Sequence, residues 1–402
     1  MKTVCCLLSF YLIVIISGII STNPSDCTKQ KIFFVLDINR PGVIPPMKMT
    51  DEVTGKDPFG VRWNEESGRL SFVGTLQAKE KGESLKHMQF DENFVISDKQ
   101  ITLSSTISEN LVEYWEHVLG TFFNENKVIE EHQLSPGNQI SSNNINKIII
   151  NKFDEKTLNH GFMINSKVCP NIFKESKSLS NRENIEKFYK QYPNLLRAGI
   201  EVENNMIGKK FNALFNGKNI FKMEIKKNDM IFNPNLMKRI ITFFESDIYK
   251  SKKLRDYDET SILNLRRKII EKFDLQGGLD TLIAKSFMKY VLNDHIIPFT
   301  KSSTDCNVYP VKYFSVTTSD FNMIAFRKVW NNSFPELKFR LNYPKFSTSY
   351  ILSFVGEGNI IKEINVYEDH MIRGRVKFED FLKNFHLSQE EEESIFKKFC
   401  SN

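Results

Sequence analysis

Apolar residues along this chain fall into two recurrent patterns. Short runs that stop at Gly, Pro or Asn read as strands, and stretches with apolar residues every third or fourth position read as amphipathic helices. Residues 31–38 predict a strand: Phe33-Phe34-Val35-Leu36 leads through Asp37 into the turn Asn39-Arg40-Pro41-Gly42. Within 70–90, the charged stretch AKEKGESLKHM suits an exposed helix, and KQITLSS at 99–105 predicts a second strand. From Glu109, the apolar residues Leu111, Trp115, Val118, Leu119 and Phe122 have helical spacing. Alternation of strand, turn and helix implies an α/β sheet with helices packed on it.

The texture changes in the middle of the chain. SPGNQISSNNINK from Ser135 is loop-like, and charged helical segments dominate 151–269, which predicts an inserted helical cap. A helix from Leu279, a strand at 309–316 and the helix DFNMIAFRKVW bring the alternation back. TSYILSFVGEGNIIKEINVY predicts a hairpin about Gly356-Glu357-Gly358-Asn359. Ser388-Gln389-Glu390-Glu391 is a capping box that opens a last helix reaching Cys400.

The ends and the cysteines suggest a compartment. Lys2 followed by the apolar run Val4–Ile20 reads as a signal peptide over 1–21; an uncleaved anchor is the alternative, but the run is at the short edge for spanning. No later stretch is apolar enough to span. Of six cysteines, Cys27, Cys169, Cys306 and Cys400 lie beyond that leader, and an even number in an oxidising compartment suggests two disulfides with three pairings open. None has zinc-ligand spacing, and no metal or other cofactor is implied. Asn331-Asn332-Ser333 is a glycosylation sequon, which marks Asn331. A net charge of +6 scattered among acids gives no basic stripe, so nucleic acid is not the expected partner. The 34 phenylalanines read as core filling.

The turn after the first strand resembles the signature of the histidine acid phosphatase family, R-H-G-x-R-x-P. Those positions here read Arg40-Pro41-Gly42-Val43-Ile44-Pro45-Pro46. The family's following pattern is met by Trp63, Gly68, Leu70, Ser71, Gly74, Gln77 and Gly82. Cys169-Pro170, Leu275-Gln276-Gly277-Gly278, YFSVTTSDF from Tyr313, the terminal hairpin and Cys400 are similar to later family motifs, so the resemblance covers nearly the whole mature chain. It implies an α/β fold with a mixed, largely parallel central sheet flanked by helices, formed by 22–150 and 270–402, with the cap over 151–269. It also implies a Cys169–Cys400 pair, which leaves Cys27 with Cys306.

What the resemblance implies about chemistry is mostly missing. The family uses a histidine nucleophile, arginines that fork onto the phosphoryl oxygens, and a His-Asp pair. The nucleophile's position holds Pro41, the second signature arginine's holds Ile44, the arginine after the second strand falls on Leu103, and the His-Asp pair falls on Thr317-Thr318. Shifting the last register by two offers Ser319-Asp320, an acid without a histidine. Arg40 alone survives, as a candidate phosphate-binding residue. Losing two arginines removes about 3–6 kcal/mol of phosphate binding. Neither His295 nor His370, each beside an acid, follows a strand as the signature does. Asp37 follows an apolar strand as in haloacid dehalogenases, but Asn39 stands where that family wants a second Asp.

The expectation is a secreted or lysosomal, catalytically inactive pseudophosphatase acting as a binding or scaffold protein. The alternative is an acid phosphomonoesterase with an atypical site. A small anionic ligand in the cleft, a protein partner and homodimerisation are the associations left open, without a stable membrane anchor.

Overall fold

In the computed structural model, the described residues are 31–45, most of 61–134, 148–153, isolated positions between 169 and 275, 277–297, 311–357 and 360–400. The leader 1–21, the loop from Ser135, Cys27, Cys306 and nearly all of the cap 151–269 lie outside them. Among the described residues, no helix is long and apolar enough to cross a membrane.

Strand β1 (Lys31–Asn39) is followed by helix α1 (Phe72–His87), β2 (Ile101–Ser105), α2 (Val112–Phe123), β3 (Ile129–Leu134) and β4 (Ile148–Phe153). Then come α3 (Leu279–Val291), which ends in a π-helical turn (Leu292–Ile296), β5 (Tyr313–Thr317) and α4 (Asp320–Ser333). The chain closes with β6 (Ser349–Glu357), β7 (Ile360–Glu368), β8 (Met371–Lys377), α5 (Phe378–Phe385) and α6 (Gln389–Cys400). The strands form one sheet in the order β3-β4-β2-β5-β1-β6-β7-β8. It is parallel from β3 to β1 and antiparallel from β1 to β8, a mixed α/β sheet as expected. Strands β3, β4 and β8 are additions to the sequence reading.

Successive strand residues face opposite sides of the sheet and sort the core into two. Val35, Leu103 and Tyr313 pack with Ala78 of α1 and Trp115 of α2 on one side. Leu36, Ile38, Phe314 and Val316 pack with Phe287 of α3 and Trp330 of α4 on the other. Phenylalanines fill this second core: Phe385 lies 5.0 Å and Phe326 5.5 Å from the Trp330 ring, contacts that add about 0.5–1.5 kcal/mol per pair beyond burial.

One cap and one cross-link match the expectations from the sequence and its resemblance. The capping box forms: Glu391 N donates to Ser388 Oγ at 3.2 Å and Ser388 N to Glu391 Oε2 at 3.2 Å. Cys169 and Cys400 are joined in a disulfide across 231 positions of sequence. Such a link stabilises a fold by about 2–4 kcal/mol. Asn331 lies half-buried in the last turn of α4, where its Oδ1 accepts from Phe339 N at 3.2 Å.

Candidate functional site

The turn after β1 is held by the start of α1. Ser71 caps that helix by accepting from Gly74 N, and its hydroxyl donates to Val43 O at 2.7 Å. Gln77, one turn on, accepts from Val43 N at 2.9 Å. Gly74 approaches Gly42 so closely that a Cβ on Gly42 would lie 2.5 Å from Gly74 O. The Ser-Gly-Gln spacing read from the sequence is therefore a docking face for the turn. Its residues touch backbone and carry no reactive group.

Each position where the resemblance wanted a catalytic group is closed. Pro41 is buried, and its carbonyl accepts from Ser347 N at 2.8 Å. Ile44 and Leu103 are buried in the core beside α1 and α2. Thr317 and Thr318 are fully buried. Thr317 Oγ1 accepts from Trp115 Nε1 at 3.2 Å and donates to Asn39 Oδ1 at 3.2 Å. Thr318 Oγ1 accepts from Asn322 Nδ2 at 2.9 Å and shares a 2.8 Å bond with Thr106 Oγ1. The ends of β1, β2 and β5 thus meet in a neutral hydrogen-bonded chain.

Arg40 is drawn into a buried charge network. Its guanidinium pairs with Glu245 through both terminal nitrogens, and Nη1 also reaches Pro344 O at 2.7 Å. The Phe346 ring lies 4.5 Å from its Cζ. Tyr343 Oη is 2.8 Å from Glu245 Oε2 and 2.8 Å from Asp320 Oδ2. Asp320 in turn pairs with Arg266, whose Nη2 donates to Oδ1 at 3.1 Å. Two arginines and two carboxylates balance, bridged by one phenol. Burial pushes the Asp320 carboxyl upward, but Arg266 and Arg40 outweigh it and hold the group below the usual carboxylate range. Burial likewise opposes the charge on Arg40, and Glu245 more than restores it.

A carboxyl whose folded value lies below its unfolded value, about 4, stabilises the fold above that pH. That contribution is lost as the pH falls through the folded value. Urea unfolding at about pH 7 and about pH 3 is expected to show the wild type losing more stability on acidification than Asp320→Asn. Equal losses would place Asp320 outside the network.

Asp37, the acid after the apolar strand, is fully buried. Its Oδ2 is 2.7 Å from Lys81 Nζ and 2.6 Å from Tyr313 Oη. The sequence put Lys81 on an exposed helix; α1 is present, but Lys81 is only 4% exposed. It is turned inward by Asp37 and lies 5.7 Å from the Trp115 ring centre. His295 packs on Phe314 with ring centres 4.4 Å apart, whereas His370 occupies the β7–β8 turn near Ser84. The two histidines sit among different neighbours and form no pair. Sequence reasoning missed Glu245, Arg266 and Tyr343, which carry no shared spacing with Arg40. Asp320 was reached only through the shifted register.

A strand-end turn clasped by a following helix, on a mixed eight-stranded sheet with helices on both faces, is an α/β architecture consistent with the one the sequence resemblance implied. Solved structures it is similar to include phytases. Hafnia alvei phytase in its apo form is 11% identical with a TM-score of 0.51, over 89% of this chain and 96% of that one. Citrobacter braakii phytase is 12% identical with a TM-score of 0.50, over 87% of this chain and 91% of that one. At these identities the likeness is one of fold. No protein-family model and no curated protein matches the sequence.

Proposed function

We propose that the chain is a degenerate member of the histidine acid phosphatase family, a pseudophosphatase that binds without hydrolysing. The observation that carries this reading is the state of Arg40. It is the one family catalytic residue the sequence retains, and its fork is taken by Glu245 at a place closed to solvent. Carboxylate oxygens accept from an arginine fork in the same bidentate manner as phosphoryl oxygens. Glu245 therefore stands as an internal substitute for a phosphate; Pro41, Thr317 and Thr318 are buried and supply neither histidine nor acid, and the nearby acid Asp320 is paired with Arg266. The secretory pathway is the proposed compartment, supported by the leader-like 1–21 and by the Cys169–Cys400 disulfide.

Purified protein is expected to show no turnover of p-nitrophenyl phosphate or phytate at about pH 5, and Pro41→His alone is expected to add none, because catalytic groups that act as a unit do not contribute singly. Turnover near about 1 per second or faster, unaffected by substitution at Pro41, overturns the proposal.

A further inference from the structure

The sheet ends in two edges, β3 on one side and β8 on the other. Strand β8 bonds to β7, and among the described residues no backbone bond joins 371–377 to any other segment. The outer strand of an antiparallel pair turns every second N–H and C=O away from its neighbour, toward water or a further strand. Here that row can be reached. Ile372 is 55% exposed and Met371 45%, and Arg375 and Lys377 are exposed as well. The intervening residues anchor the strand from the opposite face: Val376 belongs to the second core, and Gly374 backs onto Leu337.

Charged residues on an edge strand commonly serve only to repel other strands. The apolar residues beside them argue for more than that. Arg340 Nη2 lies 3.5 Å from Met371 Sδ, which sets the segment carrying Leu341, 63% exposed, beside the start of β8. Leu341, Met371 and Ile372 therefore expose apolar surface together at one end of the edge. Single exposed apolar side chains are ordinary, whereas grouped ones mark contact surfaces.

Cross-strand pairing decides what can be added. Strand β8 carries Arg373, Arg375 and Lys377 and no acid. Arg373 is held by Glu368 at 2.5 Å. Arg375 and Lys377 share Glu363, which lies 3.6 Å from the first and opposite the second in register. One carboxylate thus serves two exposed cations, and the acids Glu379 and Asp380 come after the strand, in α5. A second copy's β8 laid alongside would set three cations against three, which opposes self-pairing. A strand with acids opposite Arg375 and Lys377 and apolar residues beside Met371 and Ile372 meets attraction along its whole length. We infer that β8 is a docking edge for an extended segment of a partner protein, acidic toward Lys377 and apolar toward Met371, which joins the sheet as an added strand. This edge includes none of Arg40, Pro41, Ile44, Leu103, Thr317 or Thr318, so its test and the phosphatase assay stand or fall separately.

Isothermal titration of the whole purified protein at about pH 7 tests this with two acetylated and amidated peptides, EVEVTIV and KVKVTIV. Laid antiparallel, EVEVTIV places its glutamates opposite Lys377 and Arg375 and its last two residues opposite Ile372 and Met371. It is expected to bind saturably with Kd at or below about 0.1 mM, and KVKVTIV at least about tenfold more weakly. The double variant Arg375→Glu, Lys377→Glu, altered at two exposed positions, is expected to reverse that order. Hydrogen exchange on the unsubstituted protein gives a readout independent of any variant: EVEVTIV is expected to slow exchange within 371–377. No saturable binding of EVEVTIV up to about 1 mM, KVKVTIV binding as tightly, an unchanged order in the double variant, or protection confined to other segments each overturns the assignment. Protection of 371–377 that grows with protein concentration in the absence of peptide also overturns it, in favour of a second copy of the chain.

Discussion

Glu245→Ala is expected to destabilise the protein by about 3–5 kcal/mol, because it strips the countercharge from a buried arginine. Arg40 is 7% exposed and cannot relieve the loss by giving up its proton, since a guanidinium stays charged in proteins. Its remaining contacts, Pro344 O, the Tyr343 hydroxyl and the Phe346 and Tyr343 rings, do not carry a negative charge, and the nearby Asp320 is already paired with Arg266. The double variant Arg40→Leu, Glu245→Leu is expected to recover most of that stability. Two apolar groups of similar size leave no orphaned charge, and a buried pair is often no more stabilising than its apolar replacement. Urea midpoints of the two single variants and the double variant close the thermodynamic cycle. A loss below about 1 kcal/mol for Glu245→Ala would mean that Arg40 is solvated and open to an anion, which would remove the main support for the pseudophosphatase reading.

Alanine at Gly42 or at Gly74 is expected to cost about 3 kcal/mol each, the upper end of overpacking. The obstacle is backbone in both cases. A Cβ on Gly42 would lie 2.5 Å from Gly74 O and 2.8 Å from Gly74 Cα, and one on Gly74 would lie 2.3 Å from Val43 O. A flexible side chain could rotate away; these atoms are held by the Ser71 and Gln77 bonds to Val43. Relief would require α1 to move off the turn, which would also disturb Lys81 and Asp37 further along the same helix and strand. Because both substitutions break the same contact, the double variant is expected to cost clearly less than the sum of the two. A thermal or urea series that finds either alanine neutral would show that α1 does not clasp the turn as described.

Much of the architecture could be read from local pattern. The strand at Phe33, the helix around Trp115, the hairpin after Tyr350 and the capping box at Ser388 each satisfy their own period or cap chemistry within a few residues, so no distant partner is needed to recognise them. Strand β3 escaped because IEEHQL has no clean two-residue alternation. It forms by parallel pairing with β4, from Ile129 opposite Ile148 onward, and β4 in turn pairs with β2. Edge strands of this kind owe their state to the neighbour they pair with more than to their own residues.

What the sequence determined by itself was an inventory. Pro41, Ile44 and the Thr317-Thr318 pair cannot attack phosphorus, fork onto an oxyanion or act as a strong acid in any fold, because the functional groups are not there. The Ser71, Gly74 and Gln77 spacing likewise fixes one helical face whatever lies opposite it. Tertiary structure decided the charges. Lys81 belongs by local pattern to a solvated helix face, and it is buried because Asp37, 44 positions earlier in number, waits beneath that face. Arg40 looked like a residue left to hold an anion, and it is closed off because Glu245, Asp320, Tyr343 and Arg266 converge on it from separate parts of the chain. Ion pairs have no sequence period. Whether an arginine meets a ligand or a carboxylate of its own chain depends on long-range packing, and the burial that packing imposes makes the pairing obligatory.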